Sequence, residues 1–294
     1  MLAIVIPYYK KQFFEANLLS LSQQTDKRFR VYVGDDASLE DPSEILEKYK
    51  DEIDISYLRF DKNLGGTSLV KQWERCLSMI RTENWIMILG DDDVLGINCV
   101  EAFYRNVEEV KEISVYRFAT VKIDHSGKAI SEIFKHPKIE MASSFMARKT
   151  RSSLGEYIFK RTSLEQIGFK DFPLAWYSDI LAVLECSYFG NIFSINEAVV
   201  YIRISDLSIS GSSQNGKQKA EAVFEFHYYL LNKHRQYFTA EKRKELFVKL
   251  NKTYVYDKKK LVRLSKISFF YLKNFLFGDY LRFIYSIILS LTRN

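Results

Sequence analysis

The chain has 294 residues, 47% of them hydrophobic and 15% aromatic, enough for one large α/β domain with an appendage or for two domains sharing a core. Its net charge of +6 is unevenly spread: residues 217–294 hold 17 Lys/Arg against 6 Asp/Glu, a net of +11, which leaves −5 for residues 1–216. Cys76, Cys99 and Cys186 lack any CxxC spacing, which argues against a disulfide or zinc framework and for a reducing, cytoplasmic compartment.

Taken in order, the elements alternate. "LAIVI" (2–6) reads as a strand, its apolar core too short for a signal peptide and its basic residues on the wrong side of it. A helix over 11–23, a strand at 29–34, a helix over 42–50 and a strand at 54–60 follow. After "DKNLGG" come a helix over about 67–80, a strand at 85–89 ending in "GDDD", a helix over about 97–110 and a strand at 113–123. Such alternation of apolar strands with helices predicts an α/β fold, a mostly parallel sheet covered on both faces.

Past Asp124 the pattern changes. "DHSGK" is a turn, 135–153 is polar and basic without a clear period, and "LGEYIFKRTSLEQIGF" reads as a strand and a short helix. A loop of that length suits a lid or a binding segment. "WYSDILAVLECSYFG" is a helix ended by Gly190, "NIFSINEAVVYIRIS" a pair of strands, and "DLSISGSSQNG" a Ser/Gly-rich connection. The remainder is mainly helical. Its end, rich in Phe, Tyr, Ile and Leu, is broken by Lys273, Asp279 and Arg282, so an amphipathic helix, packed or lying on a membrane, is favoured over a spanning one. The organisation expected is 1–211, with halves 1–123 and 124–211, followed by a helical basic and aromatic region over 217–294.

In an open parallel sheet, ligands gather at the carboxyl ends of the strands. Pro7, Tyr8 and Tyr9 follow the first strand, Asp35 and Asp36 the second, and Asp91, Asp92 and Asp93 the one after the Gly-Gly turn. Three adjacent carboxylates where a strand leaves the core repel one another, and either water or a bound cation must offset that. Mg²⁺ or Mn²⁺ with a diphosphate suits such a rim, whereas the acids lack the alternating spacing of a calcium loop. Gly65 and Gly66 allow close backbone approach ahead of a helix N-terminus that favours phosphate, although the segment is neither GxGxxG nor a Walker loop. His125, His136, His227 and His234 show no ligand spacing and there is no GxSxG, so carboxylates are the available bases.

"IVIPYYK", "VYVGDDAS", "KNLGG", "WIMILGDDDVL", "GFKDFPLAWYSDI" and "NEAVVYIRISDLSIS" resemble, in order and spacing over about residues 1–211, the family 2 glycosyltransferases. These are inverting enzymes of GT-A fold, and the last two blocks look like the bacterial branch that builds surface polysaccharides. The resemblance implies donor-binding roles for Pro7, Tyr9, Asp36, Asn63, Gly65, Lys71 and Asp91, with Asp36 on the nucleotide base. It implies a metal site at Asp92 first, with Asp91 and Asp93, and a catalytic base at Asp179. Trp176 and Arg203 become candidates for acceptor binding. The donor implied is a nucleotide sugar, UDP-linked by preference, and the acceptor a saccharide or polyprenyl-linked hydroxyl. No nucleic-acid partner is expected; a cytoplasmic enzyme, peripheral on the inner membrane face through its basic end, is.

Several departures stand against the family pattern, among them Leu69, Val70 and Lys71 in place of an Ala-Arg-Asn segment. Gly90 replaces the first acid of Asp-x-Asp-Asp, Ser178 replaces the Glu before the base, and Ser205 replaces a histidine. They keep open a degenerate, non-catalytic binding subunit. A sugar-phosphate nucleotidyltransferase is the other alternative, but "PYYKKQ" stands where those enzymes need a Gly-rich, Arg-containing loop.

Overall fold

The computed structural model describes residues 1–110, 112–146, 152–204 and 215–292. Its strands are β1 (Leu2–Tyr8), β2 (Phe29–Asp35), β3 (Ile55–Arg59), β4 (Trp85–Ile88), β5 (Val94–Leu95), β6 (Val115–Ile123), β7 (Ile139–Met141), β8 (Tyr157–Lys160) and β9 (Asn191–Arg203). Its helices are α1 (Phe14–Ser22), α2 (Ser43–Tyr49), α3 (Leu69–Leu77), α4 (Cys99–Glu109), α5 (Ala142–Phe145), α6 (Arg161–Ile167), α7 (Ser178–Cys186), α8 (Gly216–Lys233), α9 (Ala240–Val255), α10 (Leu261–Lys273) and α11 (Phe277–Thr292). Contacts divide the chain into one unit of Met1–Asp171 with Ser178–Gln214 and another of Phe172–Tyr177 with Asn215–Asn294. The segment 172–177, which by sequence belongs with the first domain, thus clusters with the helices.

The first unit is built on one sheet of order β3-β2-β1-β4-β8-β6-β9-β5, with β7 on β9. The strands β1 to β4 pair in parallel, and β1, β2 and β4 are apolar and buried on both faces because helices cover them. The edge strand β3 is half exposed. Register places the ends level, with Tyr8 beside Asp35 and Asp35 beside Arg59, so everything after these residues leaves the sheet at one rim.

Beyond β4 the pairing changes. The strand β8 runs antiparallel to both β4 and β6, whereas β6 and β9 are parallel. The expected pair of strands over 191–205 is, across Asn191–Arg203, a single strand whose pairing jumps from Phe118 with Ile195 to Ala119 with Val199. A bulge absorbs the residues between. Asn196 in that bulge exchanges both its amide groups with the backbone of His136, at 2.9 and 2.7 Å, and so ties the 135–138 segment to the sheet.

The second unit is helical. Tyr177 stacks on Phe226 with ring centroids 4.5 Å apart, and Phe172 meets the same ring edge-on, which explains why 172–177 joins the helices. Phe224, Leu230, Leu246, Phe247, Leu250, Ile267, Phe270, Tyr271 and Phe283 form its core. Among the described residues no helix is long and apolar enough to cross a membrane.

Candidate active site

The acid turn is closed from below. The Leu89 N–H donates to Val5 O, and the buried Asn17 amide donates to both Gly90 O and Asp93 O at 2.9 Å. The three aspartates then take different directions. Asp91 Oδ2 accepts from Tyr9 N and Lys10 N, 2.8 Å each, and so fastens the end of β1 to the turn. Asp93 is buried, and its Oδ1 accepts from Arg203 N at 2.9 Å. Only Asp92 makes no side-chain hydrogen bond to another residue among the described residues. Burial and the Asp92 charge push Asp91 up to about 6, and burial followed by Asp92 drives Asp93 well above the usual carboxylate range.

The expectation that Asp91, Asp92 and Asp93 would share a metal is therefore revised in its geometry. Among the described residues no group of three or more His, Cys, Asp or Glu side chains converges on one point. A single carboxylate completed by phosphate oxygens still fits Mg²⁺ or Mn²⁺, which keep several ligand positions for water and substrate. Gly90 is explained by the same crowding: a Cβ there would lie 2.9 Å from Asp92 Oδ1 and 3.1 Å from Asp93 Oδ2.

Arg203 does not face outward. It is buried, donating from Nε to Asp92 O at 2.9 Å and from Nη1 to Asp124 O at 2.6 Å, with its guanidinium 4.3 Å over the Phe13 ring. Its donors hold the acid turn, so the sequence expectation of acceptor contact gives way to a positioning role. Ser205 lies outside the described residues.

On the nucleotide side the two strand-end acids differ. Asp35 is locked by Ser38 N, Tyr57 Oη and Arg59 Nη1 at 2.7 to 2.8 Å. Asp36 accepts from Leu64 N at 2.7 Å, from Gly65 N at 2.8 Å and from Arg75, which leaves about one of a carboxylate's four acceptor positions. A Cβ on Gly65 would meet Asp36 Oδ2 at 2.6 Å, so this glycine lets the chain close on Asp36. Asn63 Oδ1 accepts from Gly66 N at 2.7 Å, fixing the turn before α3. Ser68 caps α3 through Lys71 N at 3.1 Å, and the Lys71 side chain is exposed. Pro7 sits in β1 opposite Gly34, and Tyr9 is 44% exposed just beyond it.

Asp179 lies in the first turn of α7, half buried. Before it, Leu174, Ala175 and Tyr177 hold left-handed φ angles of 61°, 52° and 74°, a conformation that costs roughly 1–2 kcal/mol per residue. The Ser178 hydroxyl donates to Lys170 O at 2.6 Å, a structural use of the position where the family carries Glu. Trp176, half buried in the helical unit, has Lys219 Nζ 4.9 Å from its ring centroid.

Ser152 and Ser153 fall at the end of the 135–153 segment expected to be a lid or a binding segment, whereas residues 154–157 were not singled out by sequence. Ser152 Oγ reaches Asp179 Oδ2 at 3.5 Å and Tyr157 Oη at 2.5 Å. Gly155 faces the acid turn, where a Cβ would lie 3.1 Å from Asp93 Oδ2. Glu156 is buried, closes a capping box with Ser153, and is pushed up to about 8 by burial. Asn17, Arg75 and Arg203 were equally illegible as supports, since each acts on a residue 39 or more positions away.

The sequence profile of Glycosyl transferase family 2 matches residues 3–179. The chain belongs to this family and is a nucleotide-sugar glycosyltransferase of GT-A-type α/β fold. The crystal structure of S. aureus TarS 1–349 in complex with UDP-GlcNAc is similar to it with a TM-score of 0.68 and 16% identity, over 97% of this chain and 81% of that one. The same TarS fragment in complex with UDP gives 0.59 and 15%, over 98% and 89%. TarS itself gives 0.63 and 17%, over 86% of this chain and 43% of that one. A comparison with curated proteins gives no match.

Proposed function

We propose that the enzyme moves a sugar from a UDP-sugar to a hydroxyl of a saccharide or polyprenyl-linked acceptor in bacterial surface-polysaccharide synthesis, with inversion at the anomeric carbon. The observation that carries this reading is the 152–157 segment, which touches the acid turn through Gly155 and the base through Ser152. UDP is favoured because similar structures hold UDP and UDP-GlcNAc.

In this reading the nucleobase N–H takes the remaining acceptor position of Asp36, and Lys71 faces the diphosphate. Asp92 would hold Mg²⁺ or Mn²⁺ together with diphosphate oxygens, and the cation would neutralise charge on the leaving group. Asp179 accepts the proton of the acceptor hydroxyl as that oxygen bonds the anomeric carbon from the face opposite the departing UDP. The sugar–oxygen bond to phosphate breaks, and UDP leaves with the electron pair. Arg203, Asn17 and Asp93 keep the turn in place. The basic helical unit holds the enzyme at the inner face of an anionic membrane, where a polyprenyl-linked acceptor is presented.

The test is thermal unfolding with UDP, with and without Mn²⁺, beside a screen of UDP- and GDP-sugars for release of nucleoside diphosphate. A metal-dependent rise in Tm that Asp92→Asn abolishes is expected. No metal-dependent shift with any nucleotide would instead favour the non-catalytic binding subunit that Gly90 and Ser178 raise.

A further inference from the structure

Two hydroxyls lead to Asp179. Tyr157 opens β8, which runs between β4 and β6, and its side chain is fully buried against Phe145 and Phe159. Its Oη lies 2.5 Å from Ser152 Oγ, and that oxygen lies 3.5 Å from Asp179 Oδ2. The direction of the hydrogens follows from what each group can do. An ionised carboxylate only accepts, so the Ser152 hydrogen goes to Asp179; a hydroxyl has one hydrogen, so the bond between Ser152 and Tyr157 is made with the tyrosine's. Tyr157 has that hydrogen to give, because burial drives its phenol well above the usual tyrosine range and keeps it protonated. The order is therefore Tyr157 to Ser152 to Asp179, a chain in which each bond polarises the next.

We propose that Ser152 and Tyr157 are positioning residues for the base, holding Asp179 Oδ2 by a donated hydrogen bond and so leaving Oδ1 to take the proton of the acceptor hydroxyl. The assignment rests on the reading of Asp179 as that base. Its anchor is the sheet: β8 is paired on both sides, Ile158 with Met87 and Tyr157 with Arg117, so Tyr157 Oη is a fixed point to which the half-buried Ser152 is tied. The 3.5 Å step is long for an O–H···O bond, as contacts to a base often are before substrate is seated. A hydrogen bond to the charged form favours it, as does the N-terminus of α7, where Asp179 lies in the first turn, so the base stays ionised and ready to accept. With one oxygen held, the carboxylate also loses rotational freedom, which keeps the other in place for attack. The family sets a Glu beside the base; here that position is Ser178, turned to Lys170 O, and the support comes from a hydroxyl on a different element. The charged and titratable groups around the three include Glu156 beside Tyr157, Arg117 across from it on β6, and His136, whose Nε2 lies 3.8 Å from Glu156 Oε1. On α6, which packs on α7, Arg161 and Glu165 pair with one another at 2.6 Å. Glu156 ionises near 8, on the alkaline side of neutrality, and so does not move an acid limb set by Asp179.

The experiment compares the full chain with Ser152→Ala, Ser152→Thr and Tyr157→Phe, the last of which keeps the buried ring. It reads kcat and donor KM across pH for the UDP-sugar of fastest release in the screen above, the Tm shift with UDP, and the Asp179 carboxyl titration by carboxyl-carbon NMR of aspartate-labelled chain, assigned by its loss in Asp179→Asn. Ser152→Ala is expected to lower kcat about tenfold and to raise both the acid limb of kcat and the Asp179 titration by about one pH unit, the effect of losing one hydrogen bond to a charged group. Donor KM and the UDP shift should stay as they are. Tyr157→Phe should move the same quantities by about a third as much, since it removes only the bond behind Ser152. Ser152→Thr, which keeps the hydroxyl, should return kcat to within about threefold of wild type. A Ser152→Ala enzyme like wild type, or a fall in kcat with the Asp179 titration unmoved, would overturn the assignment, because a merely structural role lowers Tm without touching that titration. Transfer retained by Asp179→Asn, or no UDP release by the wild type with any sugar, is a separate outcome that removes the reading of the base, while the NMR titration still decides whether Ser152 bonds Asp179.

Discussion

The sheet unit and the helical unit handle charge in opposite ways. Residues 1–216 carry a net of −5, and several of those carboxylates are buried against backbone N–H groups at the strand ends. Residues 217–294 carry +11, mostly on the surface, and leave large apolar side chains exposed beside it: Phe275 at 79%, Leu281 at 68% and Phe269 at 61%. Buried charge held by fixed dipoles is poised to act on a ligand, whereas exposed charge beside exposed apolar surface is poised to meet another surface. The family profile ends at residue 179, within the sheet unit, and only that unit carries the carboxylates assigned to the reaction.

The strongest way to break the contrast is to remove a carboxylate from the reaction. Asp179→Asn is expected to keep UDP binding and lose transfer by about 10²–10⁴, the usual contribution of a positioned base. Transfer within a few-fold of wild type would place the base elsewhere.

Next comes the helical core against its own surface. Phe270 is 1% exposed and its sequence neighbour Phe269 is 61% exposed. Phe270→Ala should cost about 3–5 kcal/mol in denaturant unfolding. Phe269→Ala should change stability by less than about 0.5 kcal/mol. Equal costs would mean that Phe269 is covered in solution.

The pH response should separate the units. Glu156 holds its proton in the folded state up to about 8 while its unfolded form ionises near 4.5, so its contribution is full below about 4.5 and declines as pH rises to about 8. His227 in α8 is buried, bonded to Val223 O at 2.7 Å and beside Lys249, and its pKa is lowered to about 4. Its contribution is full above about 6.5 and is lost as pH falls toward 4. Each slope is at most about 1.4 kcal/mol per pH unit. Hydrogen exchange of β8 amides should therefore gain protection, and that of α8 amides lose it, between pH 6.5 and 5. Glu156→Gln should flatten the first trend alone; parallel trends in both units would refute the assignment.

The smallest expected effects concern the surface. Binding of the full chain to anionic vesicles should weaken with salt, with about 1 kcal/mol for each basic residue near the bilayer. Lys258, Lys259 and Lys260 changed together to Glu should reduce the salt-sensitive share, and Phe275→Ser with Leu281→Ser the salt-resistant one. Cosedimentation that ignores lipid charge at low salt would make the helical unit purely structural. Of the large apolar side chains near the C-terminal end, Phe270 packs inside and Ile284 is half buried, whereas Phe269, Phe275, Phe277 and Leu281 are exposed.

Much of the sheet unit was legible because its signals are local. Apolar runs such as "LAIVI" and "WIMI" declare buried strands by composition, Gly90 and the aspartates mark where one of them ends, and α3 and α4 lie within the predicted helices. The motifs that identify the family are likewise short and contiguous. Bulges are less visible, and β9 was read as two strands because its kink arises from pairing with β6.

What each acid does was decided by tertiary structure. Asp91, Asp92 and Asp93 are identical side chains in consecutive positions, and nothing in that string sends one to the β1 backbone and one to Arg203 while leaving Asp92 without a side-chain hydrogen bond to another of the described residues. The division follows from which partner the sheet brings near: Lys10 from 81 residues away, Arg203 from 110 and Asn17 from 76. Arg203 looked like a surface contact for the acceptor and is a buried clamp, and Glu156, which the sequence did not single out, is buried. Local sequence sets backbone preference and the chemistry on offer. Burial and hydrogen-bond partners set whether a carboxylate is charged, held or available, and both come from chain segments that meet only when the sheet closes.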